Sequence, residues 1–138
     1  MILLKMVNPT GLNIRGLDVW GSGSFGAPRK NHVHQGVDFI CVPGQAIFSP
    51  INGLIVREAH PYADDLTWSG CLIRGQYMEV KMFYLNLYRD LIGLNVTAGQ
   101  TIGKAQDISL KYPGITPHVH AEAKSLLTNM INPEELLP

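Results

Sequence analysis

The sequence predicts an all-β domain of antiparallel sheets, and three observations carry that prediction. Glycine and proline, 14 and 9 among 138 residues, punctuate the whole length and keep each regular segment short. The segments between them are rich in Val, Ile, Phe and Tyr and alternate apolar with polar residues. Nowhere does an apolar stripe hold a helical period over several turns.

Taken in order, residues 1–22 read as a loosely structured N-terminal segment and residues 23–138 as one domain. Asn8-Pro9-Thr10-Gly11 and Gly21-Ser22-Gly23-Ser24 are turn residues in the segment that wraps the core. Residues 37–42 are β-branched and aromatic and close on the turn Pro43-Gly44; 46–48 and 54–56 repeat the pattern about Asn52-Gly53. Residues 71–74 and 78–84 form a hairpin about Gly75-Gln76, with Met78, Val80, Met82 and Tyr84 on its inward face. Residues 60–69, rich in Asp and broken by Pro61, make a long loop. Late strands fall at 101–102 and 118–123, and single helical turns at 89–94, 124–127 and 133–137. Trp20, Trp68, Phe83 and Tyr112 are assigned to packing in the core or along a wall.

Composition narrows the function. With 46% hydrophobic and 16% charged residues the chain can fold around one core. Eleven basic residues balance eleven acidic ones, and no Lys/Arg stripe is present, so nucleic acid and anionic membrane surfaces are not expected partners. No apolar run reaches the roughly 18 to 20 residues of a membrane span, and the first residues are too short and too weakly basic for a secretory signal. The expectation is a chain that stays in the cytoplasm as made. Cys41 and Cys71 are either two half-buried thiols or one bridge between adjacent strands.

The chemistry lies in the histidines. Four of the five occur in pairs, His32 with His34 and His118 with His120, and Asp38 follows His34 by four residues. On a strand, residues i and i+2 share a face at a separation of roughly 7 Å, so His118 and His120 can converge while Val119 packs the other way. Four residues of straight strand span roughly 13 Å, too far for His34 and Asp38 to reach one ion, and Gly36 supplies the bend. His34, Asp38 and His120 form a two-imidazole, one-carboxylate set that leaves zinc an open fourth position for water. His118 then stands beside that water as general base. Glu122, two residues beyond His120, faces the same way and is either an acceptor for a ligand histidine or a surface carboxylate.

These residues carry a resemblance. His34-Gln35-Gly36-Val37-Asp38-Phe39, preceded by Phe25-Gly26-Ala27-Pro28-Arg29 and followed by His118-Val119-His120-Ala121-Glu122 and Asn132-Pro133, resembles the lysostaphin-type, LytM-like zinc endopeptidases. The strand-turn-strand from Gly44 to Val56 and the turn Val96-Thr97-Ala98-Gly99-Gln100 fit the same family in order. The resemblance implies antiparallel sheets forming a groove, one zinc ion on His34, Asp38 and His120, and a catalytic His118. Its implied activity is cleavage of peptide cross-links in bacterial peptidoglycan. The chain departs from the family at Tyr84-Leu85-Asn86-Leu87, where Asn86 stands in place of a second catalytic histidine in a Tyr-x-His-Leu motif. An amide can still donate to an oxyanion, and losing one such donor costs roughly 10² to 10³ in rate. His32 and His60 are the other histidines that could substitute from loops.

A second resemblance bears on the same point. His34-Gln35-Gly36-Val37-Asp38, Val80-Lys81-Met82-Phe83-Tyr84 and Tyr112-Pro113-Gly114-Ile115 are similar, run for run, to the leukocyte cell-derived chemotaxins. Those secreted animal proteins share the fold and the zinc ligand types, lack the same histidine, and act by binding receptors. They are rich in disulfides, whereas here only Cys41 falls at one of their cysteine positions. This resemblance implies the alternative of a zinc-stabilised binding module that recognises a protein or glycan. Either activity suits a chain that works inside a cell, within a particle, or at the cell envelope after delivery by a larger machine.

Overall fold

The computed structural model describes residues 4–27, 36–126 and 130–138. Through them run β1 Val37–Ile40, β2 Ala46–Phe48, β3 Gly53–Ala59, β4 Gly70–Arg74, β5 Met78–Phe83, β6 Leu85–Leu87, β7 Asn95–Val96, β8 Thr101–Ala105, β9 His118–Ser125 and β10 Met130–Ile131. Among the described residues the helical structure is three 3-10 turns, Arg89–Leu91, Ile108–Leu110 and Pro133–Leu136. The all-β, antiparallel class read from the sequence is the class observed. No helix among the described residues is long and apolar enough to cross a membrane.

The large sheet has the order β1-β9-β5-β4-β3-β7, with β10 also paired to β9; β2, β8 and β6 form the second sheet. All pairings are antiparallel. Phe39, Ile55, Ile73 and Met82 of the first sheet share one core with Ile47, Leu85 and Ile102 of the second, all at zero exposure. Each such side chain is worth about 1.5–3 kcal/mol when removed from water. Cys41 and Cys71 are free thiols within that core, and burial pushes both up to about 12.

One expectation changes. The helical turn at 124–127 is not formed at its start: Lys124 pairs with Glu79 on one side and Met130 on the other, so Lys124 and Ser125 complete β9. Local sequence favoured a turn there, but two strand partners satisfy the backbone better. Trp20 is 45% exposed but packs along the surface against Tyr112, ring centroids 5.1 Å apart, while Trp68 sits in a small cluster with Ile108 and Ile115.

The N-terminal segment covers the free edge of β1. Ile40 N–H donates to the Asn13 carbonyl at 2.8 Å, Arg15 N–H to the Asp38 carbonyl at 2.7 Å, and Asp38 N–H to the Gly23 carbonyl at 2.8 Å. An edge strand is thereby closed, and Arg15 is carried to the side chain of Asp38.

Candidate metal centre and its surroundings

Two strands build the centre. Register between β1 and β9 sets Asp38 opposite His120 and Ile40 opposite His118. Val119, Ala121 and Ala123 enter the core at zero exposure, so the pleat turns His118, His120 and Glu122 to the opposite face.

His120 lies between two carboxylates. Its Nδ1–H donates to Asp38 Oδ1 at 2.9 Å and its Nε2–H to Glu122 Oε1 at 3.0 Å, and the Phe83 ring stacks on it with centroids 5.8 Å apart. Burial works to lower its pKa, but the bonds to Asp38 and Glu122 outweigh it and hold it at about 9. Without a metal the ring is therefore an imidazolium at neutral pH.

His118 is buried, at 3% exposure, and differs in charge. Its Nδ1–H donates to the Thr116 carbonyl at 2.8 Å, which assigns the lone pair to Nε2, 3.5 Å from Asp38 Oδ2. Burial pushes its pKa down against the pull of Asp38. The neutral tautomer with a free Nε2 is the form a general base needs.

Asp38 itself is buried at 3% exposure and is answered by a residue that sequence reasoning missed. Arg15, 2% exposed, directs Nε and Nη2 to Asp38 Oδ2 at 3.2 and 3.1 Å, and Nη1 to Asp18 at 2.8 Å and the Gly21 carbonyl at 2.7 Å. This leaves Oδ1 turned to His120. The only signal in the sequence was Arg15 itself, in a segment read as a wrap with no period to mark its face. Gly36 is required by the same packing: a Cβ there would come within 2.7 Å of His120 Cε1 and closer still to the Ala121 carbonyl.

Of the five residues assigned to the site, Asp38, His118 and His120 are brought together. His34 lies outside the described residues, as does His32, and among the described residues no group of three His, Cys, Asp or Glu is arranged to hold an ion. The chemistry of the pair that remains does suit zinc. Asp38 Oδ1 and His120 Nδ1 stand 2.9 Å apart, near the roughly 3.3 Å that two ligands on one tetrahedral zinc would keep. Glu122 on the far ring nitrogen fixes the tautomer that would leave Nδ1 free to ligate once its proton is displaced.

Asn86 is exposed on β6, and its amide oxygen accepts from Gln106 Nε2 at 2.9 Å. His60 is turned elsewhere, to Glu58 at 3.6 Å and the Trp68 carbonyl at 3.4 Å. Tyr84 is nearer the pair: its ring meets the His118 ring edge-on, centroids 5.3 Å apart.

The fold defined by this arrangement is that of the lysostaphin-type peptidase domains. Csd3 of Helicobacter pylori superposes with a TM-score of 0.68 at 20% identity, covering 99% of this chain and 33% of that one. The catalytic domain of the antimicrobial peptidase lysostaphin from Staphylococcus simulans gives 0.57 at 19%, covering 96% and 90%. A zinc-containing peptidase from Vibrio cholerae gives 0.59 at 22%, covering 93% and 39%. At these identities the likeness is one of fold. No family model matches the chain. In sequence it is 32% identical over 112 residues to leukocyte cell-derived chemotaxin-2 of Bos taurus, covering 79% of this chain and 72% of that protein. It is also 34% identical over 119 residues to myeloid protein 1 of Gallus gallus, covering 83% of this chain but only 36% of that protein. The chain belongs to the leukocyte cell-derived chemotaxin family, on the LytM-like fold.

Proposed function

We propose that the chain is a zinc-dependent endopeptidase-type domain acting on peptidoglycan peptides, with His34, Asp38 and His120 as ligands. Zinc, when bound, would supply a Lewis acid that acidifies a water and polarises the scissile carbonyl. His118 takes the proton of the attacking water at Nε2 and returns it to the leaving amine. The Thr116 carbonyl keeps its tautomer, and Arg15 holds Asp38 in orientation. Asn86, tied to Gln106 through its oxygen, keeps its amide N–H groups as a weak donor for the carbonyl. The observation that carries the reading is the buried His118, held through Nδ1 by the Thr116 carbonyl with its Nε2 3.5 Å from Asp38 Oδ2, beside the Asp38–His120 pair.

A second reading is favoured by the chemotaxin kinship and by Asn86: a zinc-stabilised module that binds a protein or glycan. Metal that binds only the folded chain adds its binding free energy to stability, so zinc needs no catalytic duty. The test is release of new amino termini from purified peptidoglycan by the zinc-loaded protein, with His118→Ala as control. Release that vanishes in the control supports the peptidase. No release with zinc bound one to one moves the assignment to the binding module. Delivery to the envelope by a larger machine belongs to the first reading and is tested by the same substrate presented in intact cells.

A further inference from the structure

Tyr84 is the one non-glycine among the described residues with a left-handed backbone, φ 75°. An L-residue pays about 1–2 kcal/mol for that conformation, and a bulky ring makes it rarer still. The position explains how it is held. Tyr84 is the single residue between β5 and β6, where the chain leaves one sheet for the other. Its N–H donates to the Ser69 carbonyl at 2.7 Å and its carbonyl accepts from Gln106 N–H at 2.9 Å. The outcome of the strained turn is a ring set edge-on against His118, with interplanar angle 86°. Strain kept at a site, with a specific contact as its product, points to use of the side chain.

Its hydroxyl does not stand alone. Tyr84 and Tyr62 share a hydrogen bond of 2.8 Å, and Tyr62 and Tyr112 one of 2.7 Å, between residues far apart in the chain. The Lys111 ammonium sits over the Tyr62 ring at 4.5 Å and packs that end of the chain. Three hydroxyls carry three protons, and two hydrogen bonds consume two. One proton is spare, and because hydroxyl rotors turn to suit their surroundings, it goes to whichever end meets an acceptor. Burial raises both Tyr62 and Tyr84, Tyr84 to about 12, so the phenols are neutral donors at pH 7. Donors in a chain also polarise one another.

We propose that the Tyr84 hydroxyl, backed by Tyr62 and Tyr112, donates a hydrogen bond to the carbonyl or tetrahedral oxygen of a peptide bound beside His118. It thereby supplies from the His118 side the donor that the Tyr-x-His-Leu histidine would have given. The inference rests on the reading of the centre as a peptide-binding zinc site, but it does not need turnover.

The test uses the zinc-loaded full chain and a phosphinic analogue of a Gly–Gly dipeptide, whose charged oxygen imitates the tetrahedral state, with calorimetry as the readout. Tyr84→Phe keeps the ring and its contact and removes only the hydroxyl. It is expected to weaken the analogue by roughly ten- to hundredfold, the worth of a hydrogen bond to a charged group, with zinc content and thermal midpoint near wild type. Tyr62→Phe cuts the chain behind the donor and should lose less, and Tyr112→Phe least. Equal affinity of wild type and Tyr84→Phe overturns the proposal, as does a wild type that does not bind the analogue. If Tyr84→Phe weakens the analogue while wild type releases no amino termini from peptidoglycan, the peptidase reading fails and the donor assignment stands.

Discussion

Asp38 and Gln106 are the centres of two buried polar knots, and they are built on opposite principles. Asp38 is a charge, met by the Arg15 guanidinium and the His120 imidazolium, with His118 beside it. Gln106 is an uncharged amide: its oxygen accepts from Ser69 N–H at 3.1 Å, and its Nε2 donates to the Thr67 carbonyl at 2.7 Å and to Asn86 at 2.9 Å. Tyr84 links them, touching His118 with its ring and Gln106 with its backbone carbonyl. A buried charge is costly unless paired, so the first knot recruits residues from 23 and 82 positions away. The second needs only hydrogen bonds, and it ties loops together. Ionised side chains are concentrated in the charged knot, and Asn86 belongs to the other.

Removal of a charge separates the two most sharply. Arg15→Met leaves the Asp38 and Asp18 carboxylates short of a buried cation and is expected to cost about 3–5 kcal/mol in chemical denaturation. A loss below about 1 kcal/mol would mean that water already reaches Asp38 and that the knot is an exposed ion pair.

The charged knot should also titrate, and the neutral one should not. In protein stripped of metal, the His120 pKa lies at about 9 against an ordinary 6.5. The stability this lends is fully present below 6.5 and is lost as the pH rises through about 9. Denaturation midpoints should therefore fall steadily from pH 6.5 upward, already below the roughly 8.5 at which exposed thiols ionise. A flat profile in that window would show that His120 is not held as an imidazolium.

Gln106→Leu removes three hydrogen bonds without touching a charge. The buried Ser69 N–H loses its partner, so about 1–3 kcal/mol should go, with zinc binding intact. Glu122→Gln acts on the other side: zinc affinity measured against a chelator should fall by about 10- to 100-fold as His120 loses its carboxylate. If Gln106→Leu lowers zinc affinity as far as Glu122→Gln does, the knots are not independent.

The charged knot was half legible in the sequence. His-x-His on a strand needed only the period of a β-strand to be placed on one face, and the register of β1 with β9 sets Asp38 opposite His120. Arg15 was not legible, because its partner is set by an irregular segment pairing with the edge of β1, which leaves no periodic trace. Nor was Tyr84: alternation along 78–84 placed it on the inward face, but the chain turns left-handed at that residue to change sheets, and the ring goes to His118 instead. The hairpin about Gly75-Gln76 was readable because its turn and its two alternating strands are local.

The smallest effect is expected at Asn86, and it decides which knot that residue serves. Asn86 is exposed, and Asn86→Ala takes one acceptor from Gln106 Nε2, which keeps the Thr67 carbonyl. The stability cost should stay below about 1 kcal/mol, since water replaces the lost oxygen. Zinc affinity should not move, because Asn86 makes no hydrogen bond to Asp38, His118 or His120 among the described residues. Hydrolysis, measured as amino termini released, should drop by less than the roughly 10² to 10³ of a lost oxyanion donor, because Tyr84 supplies the stronger bond. A loss of that full size at Asn86, with Tyr84→Phe silent, would reverse the assignment and make the amide of the neutral knot the working donor.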